Sequence, residues 1–142
     1  MRKVYNDIIP FKGFMAMTVF PFIFIRNGCT FNEVDERHET IHGEQQKEML
    51  PIGIALAFIL FLFGCGWWSL LALAIYYEWY VAEWLVRIML MGFSGDWWNT
   101  HKAYREISFE QEAYFFQGDP SYPDRRSRYL WFRYLFKRYN KQ

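Results

Sequence analysis

Between Glu48 and Glu78 the chain carries no charged side chain, a run of 29 residues from Met49 to Tyr77. In a protein of 142 residues such a run is hard to bury, because a small domain has too little interior to cover it. A bilayer is the better solvent for it. Pro51 and Gly64-Cys65-Gly66 interrupt the run, so it reads as a helical hairpin over 51–93, held in a membrane, with its tip at 64–66. The aromatic share of 23% agrees, since rings with a polar edge concentrate where lipid meets water, and Trp67-Trp68 stands beside the tip. The balance of 16 basic against 15 acidic residues points to no polyanionic partner, nucleic acid included.

The length suits a single domain. Residues 14–26, FMAMTVFPFIFIR, are β-branched and aromatic with Pro21 in the middle, which predicts two short strands at 14–19 and 22–26. Thr30 and Glu33 have the spacing of a capping box, opening a helix over 30–50 that Pro51 bends or breaks. The second apolar helix covers about 67–93, and 94–103 reads as a loop. A further helix is expected over 106–117, ending at Gly118-Asp119-Pro120. The tail 125–141 holds seven basic residues among aromatics. It reads as a helix lying on anionic lipid, with Arg126, Arg133, Lys137 and Lys141 on one stripe. Cys29 and Cys65 are too few for a disulfide framework and read as unpaired. The expected fold class is mainly α: a membrane-held helical hairpin with a short N-terminal β element.

His38-Glu39-Thr40-Ile41-His42 matches H-E-x-x-H. Side chains four apart share a helix face, so both histidines can reach one tetrahedral ion. Glu39 is turned about 100° away, placed to take a proton from water rather than to ligate. That is the division of labour in zinc-assisted hydrolysis. Gln45 continues the histidine face. A catalytic zinc needs a third protein ligand, and the candidates are Glu110, Glu112 and His101.

Ser108 to Tyr114, SFEQEAY, resembles the third-ligand helix of gluzincin metallopeptidases, where the ligating Glu is followed three positions later by Ala. In the membrane-bound Ste24-like proteases the pattern is E-x-x-A-D; Glu110 and Ala113 match it, and Tyr114 stands in place of the Asp. The chain is also similar to small bacterial membrane proteins with H-E-x-x-H-x-x-Q, an apolar segment and F-E-x-E-A, which Gln45 and Phe109 to Ala113 fit. The resemblance covers about residues 10–115. It implies a minimal zincin fold, Zn2+ held by His38, His42 and Glu110, Glu39 as general base, and hydrolysis of a peptide or membrane-protein substrate. The strands at 14–26 would correspond to the edge along which zincins lay an extended substrate. Gln45 and Glu112 are candidates for supporting the ligands, and Tyr104 and Tyr114 for stabilising an oxyanion. Two rivals are a non-catalytic zinc-binding sensor or partner protein and a metal-free membrane scaffold. Glu39 favours catalysis, because a purely structural site has no use for a base.

The histidines precede the apolar run and Glu110 follows it, so a shared metal requires both flanks on one side of the bilayer. The flanks 1–48 and 94–142 hold 6 and 9 of the 16 basic residues, with only Arg87 between. That distribution places both ends in the cytoplasm, at a bacterial-type inner membrane. The first leg is short: 15 uncharged residues from Met49 to Phe63 span about 22 Å, which suits a full crossing or a re-entrant dip. Glu83 and Arg87 lie four apart in the second leg and can pair, facing either the metal site or the headgroups.

Overall fold

A computed structural model describes residues 1–93 and 99–136. The protein is mainly helical, with a small three-stranded sheet at its N-terminal end. The strands are β1 (Arg2–Asn6), β2 (Ala16–Val19) and β3 (Phe22–Arg26), in the order β1-β3-β2. The antiparallel β2–β3 pair is the one expected from the aromatic and β-branched run, with Val19 opposite Phe22. Strand β1, parallel to β3, was not foreseen, because RKVYN has no apolar alternation to announce it. Ile23 and Ile25 form the fully buried face of β3. Arg26 staples the preceding loop, donating from Nε to Phe14 O and from Nη2 to Pro10 O and Phe11 O.

Helix α1 runs over Glu33–Leu62. Its cap is Asn32, not Thr30: the Asn32 side chain accepts from Val34 N and Asp35 N, and Asp35 accepts from Asn32 N in return. The capping box therefore lies two residues beyond the expected Thr30–Glu33 pair, because the short Asn amide reaches both free backbone donors. Pro51 sits inside α1 without ending it, so the expected boundary at 50 is not a break. Pro51 withholds one N–H from the ladder, and packing along the hairpin outweighs that loss. Gly53 allows the packing: a Cβ there would meet Ala72 O at 2.5 Å.

The chain reverses at Gly64 (φ +85°) and Gly66 (φ +54°), a left-handed backbone that glycine adopts without penalty. The returning leg is a 3-10 helix, Gly66–Ala74, followed by α2, Ile75–Phe93, rather than one α-helix over 67–93. Among the described residues, α1 alone is long and apolar enough to cross a membrane by length and composition. Much of the hairpin surface is apolar and exposed, including Phe58, Phe61, Trp67, Trp68, Leu70 and Leu71.

Beyond α2, residues 94–98 of the expected 94–103 loop lie outside the described residues. Asn99 then caps α3 (Thr100–Arg105). Helix α4 (Ser108–Phe116) replaces the longer helix expected at 106–117. Its N-cap, Ile107, has no side chain to offer. Glu83 reaches across from α2 instead, accepting from Ser108 N at 2.9 Å and Ser108 Oγ at 2.6 Å while pairing with Arg87. A carboxylate at a helix N-terminus is stabilising, so the Glu83–Arg87 pair faces the interior rather than the headgroups.

The tail departs most from expectation. It folds as α5 (Tyr122–Arg125) and a 3-10 helix at Leu130–Leu135, and its part beyond 136, with Lys137 and Lys141, lies outside the described residues. Arg126 is not on a lipid-facing stripe; its side chain is buried between Glu48 and Glu112. Trp131 closes one core cluster with Met49, Tyr76, Ile107 and Phe109. Two buried carboxylates demand a cation more strongly than a surface stripe does.

Candidate metal centre

One turn of α1 brings His38 and His42 together, rings 4.7 Å apart and nearly perpendicular. Their Nε2 atoms are 3.0 Å apart. Helix α4 adds Glu110, with Oε2 3.3 Å from His38 Nε2 and Oε1 3.2 Å from His42 Nε2. These three residues each offer a ligand atom, all within 4.8 Å of one another. His101, by contrast, is exposed with its ring beside Tyr104, and Glu112 faces away from the group toward Arg126.

The hydrogen bonds behind the histidines fix their chemistry. Gln45 Nε2 donates to Phe109 O and to Glu112 Oε2, so the amide can present only Oε1 to His42 Nδ1, at 2.9 Å. His42 therefore carries a proton on Nδ1, and its Nε2 faces the centre. His38 Nδ1 lies 3.0 Å from Gln117 Oε1, which orients that ring in the same way. Two Nε2 atoms directed at each other across 3.0 Å are held by a shared proton or by a cation between them. A tetrahedral zinc about 2.0–2.1 Å from each nitrogen would hold them about 3.3 Å apart. Glu110 supplies the matching acceptor: Tyr80 donates to its Oε1 at 2.7 Å, and its buried Oε2 accepts no hydrogen bond. The donor set fits a metal ion.

Without metal, a proton fills the gap. Burial works against charge on His42, but the Glu110 carboxylate overcomes it, with help from Glu39 and Gln45, and pushes its pKa up to about 9. Burial likewise opposes ionisation of Glu110, and His42 and His38 together hold it well below the usual carboxylate range. A metal entering the centre must displace the His42 proton, so acid opposes binding. The apparent metal affinity is expected to fall about tenfold per pH unit below about pH 9, with about one proton released per ion. Chelator competition at several pH values checks this; a flat profile between pH 6.5 and 8.5 contradicts it.

Glu39 lies on the flank of α1 that faces the sheet, where Thr18 Oγ1 donates to its Oε2 at 2.7 Å and to its backbone O at 2.9 Å. Four phenols surround the centre. Tyr114 meets His38 edge-on at 4.7 Å, with its pKa pushed up to about 12 by burial and then by the Glu110 charge. The same causes push Tyr104 well above its ordinary value. Tyr76 Oη lies 3.2 Å from His42 Nδ1 and donates to Gln45 Oε1 at 3.5 Å, and Tyr80 holds Glu110 as above. Residue 114, where the resembled pattern has Asp, packs against His38, and the hydrogen-bond partner of His38 Nδ1 is Gln117 one turn later.

Thr18, Tyr76, Tyr80 and Gln117 escaped the sequence reading. Gln117 is seven residues from Glu110 and shares its helix face, a signal that was available. Tyr76 and Tyr80 are four apart, but nothing in an apolar segment marks a tyrosine hydroxyl as part of a polar site. No family model, curated protein or solved structure matches the chain.

Proposed function

We propose that the chain is a zinc-dependent peptidase of the zincin type, held at a membrane. The carrying observation is the pair of facing His38 and His42 Nε2 atoms beside a Glu110 oxygen with no hydrogen-bond partner, while Glu39 stands on the adjoining flank of the same helix. Zinc bound there would act as a Lewis acid and lower the pKa of water to about 7. Glu39 is the general base: Thr18 holds Oε2 and leaves Oε1 to accept the proton. Tyr104 and Tyr114 keep their protons at neutral pH and can donate to a developing oxyanion.

The edge of β2 supports an extended peptide as substrate. Arg26 N donates to Met15 O, so alternation along the antiparallel pair turns the backbone groups of Ala16 and Thr18 outward. Thr18 O already accepts from Gln46 Nε2 and Tyr77 Oη, and Gln46 Oε1 accepts from Phe20 N. The strand edge is thus closed from Thr18 onward, and the pairing position is Ala16. Incubation of zinc-loaded protein with an unstructured peptide mixture is expected to yield new N-termini by mass spectrometry. Cleavage that survives removal of zinc would exclude the mechanism.

Lipid contact is assigned to the hairpin and to the outer face of α2, where Val81, Leu85, Val86, Met89 and Leu90 are exposed. The protein then sits at a bacterial-type inner membrane with both flanks cytoplasmic. Native Cys65 is exposed at the tip; Ser69, nearby, is buried and bonded to Gly66 O. In a Cys29→Ser, Cys65→Ser background, Glu33→Cys and Thr100→Cys should react with a membrane-impermeant thiol reagent only after the inner membrane is opened. Opposite behaviour at the two positions would place His38 and Glu110 across a bilayer from each other and end the reading.

A further inference from the structure

We propose that Arg126 is a positioning residue of the metal centre, acting on His42 through Glu112 and Gln45. The inference rests on the metal-centre reading above and concerns a residue that touches neither a ligand nor Glu39.

Arg126 is held on both sides. Nη1 and Nη2 reach Glu48 Oε1 and Oε2 at 2.5 and 3.2 Å, while Nε and Nη2 reach Glu112 Oε1 and Oε2 at 2.5 and 3.1 Å. The side chains of Arg126, Glu48 and Glu112 are 4%, 7% and 0% exposed. A buried charge cluster of this kind is a poor source of stability, since desolvation consumes most of the attraction and a packed apolar trio does as well. What it supplies is direction.

Glu112 has its remaining acceptor capacity committed as well: Oε1 accepts from Tyr122 Oη at 2.7 Å and Oε2 from Gln45 Nε2 at 3.0 Å. Together with the bond from Gln45 Nε2 to Phe109 O, that last bond decides which end of the Gln45 amide faces His42. With Glu112 locked, Gln45 presents Oε1 and His42 keeps its proton on Nδ1. If Glu112 turned away, only the bond to Phe109 O would hold the amide, and in the fraction that rotated to present NH2, His42 would take the opposite tautomer with a proton on Nε2. A protonated Nε2 cannot ligate a metal. Arginine suits the task because its planar fork holds two carboxylates at once, which a single ammonium cannot.

The test uses zinc affinity by chelator competition and the visible absorption of Co2+-loaded protein, which reports ligand geometry. Arg126→Leu is expected to weaken zinc binding about 10–100-fold, the usual scale for groups that orient a ligating histidine. Arg126→Lys, which keeps the charge and serves if Arg126→Leu does not fold, is expected to lose about tenfold and to shift the Co2+ bands. Glu48→Gln leaves the link from Arg126 to Glu112 in place and should stay within about threefold of wild type. In a Gln45→Leu background, where the link is cut, Arg126→Lys should add less than about threefold. Four results overturn the proposal. Full additivity of Gln45→Leu and Arg126→Lys is one, and an unchanged Co2+ spectrum in Arg126→Lys is another. The third is a loss in Glu48→Gln equal to that in Arg126→Leu. Wild-type protein that binds neither ion overturns it together with the metal reading.

Discussion

Glu39→Gln is expected to lower peptide hydrolysis about 10²–10⁴-fold, the usual contribution of a positioned general base, while leaving zinc bound at wild-type stoichiometry. Glutamine is nearly isosteric and still accepts from Thr18 Oγ1, so α1 and β2 should keep their contact through the bond that now joins Thr18 to Glu39. What disappears is the carboxylate proposed to take the proton. Glu39 is on the same helix as both histidines but is not one of the three residues that offer a ligand atom, so activity and metal content should separate. Purified variant and wild type, assayed side by side for turnover and zinc, check this. Loss of zinc in step with activity would mean that Glu39 holds the site together rather than serving as base.

The second large effect separates two carboxylates that lie two residues apart on α4. Zinc binding at four-ligand sites is worth about 10–16 kcal/mol, so removing one ligand costs about 3–4 kcal/mol, or close to 10²–10³-fold in affinity. Glu110→Gln should show a loss of that order, because the Glu110 carboxylate lies against both Nε2 atoms. Glu112→Gln should lose about tenfold, since Glu112 reaches the centre only through Gln45. Glu110→Gln leaves Tyr80 with an amide oxygen to donate to, so its effect should fall on affinity more than on folding. The reverse ranking would move the third ligand to Glu112.

The parts of this arrangement that were legible from sequence are those set by local spacing. H-E-x-x-H on a helix places its histidines by periodicity alone, and the resemblance of Glu110 and Ala113 to the gluzincin third-ligand pattern selected a carboxylate that does lie beside them. Gly64 and Gly66 marked the reversal, and Pro21 separated the two strands of the β2–β3 pair. The illegible parts depend on contacts across the chain. Glu83 capping α4 joins residues 25 apart in sequence, and no local pattern distinguishes that from a surface ion pair. Arg126 read as one cation among seven in a basic tail, because its two carboxylates, Glu48 and Glu112, come from elements far apart in sequence. Tyr76 and Tyr80 were hidden in the second apolar helix for the same reason: their hydroxyls have meaning only once α2 is laid against Gln45 and Glu110. Pro51 misled because helix propensity was weighed without the packing at Gly53 and Ala72 that carries α1 past it.

Joint zinc binding by His38, His42 and Glu110 is tested by elemental analysis of detergent-purified protein after expression in zinc-supplemented medium. Close to one zinc per chain is expected, lost in the His38→Ala, His42→Ala double variant while the protein stays in the detergent-soluble fraction. Purified protein free of transition metal under those conditions, or zinc retained in full by the double variant, would contradict it.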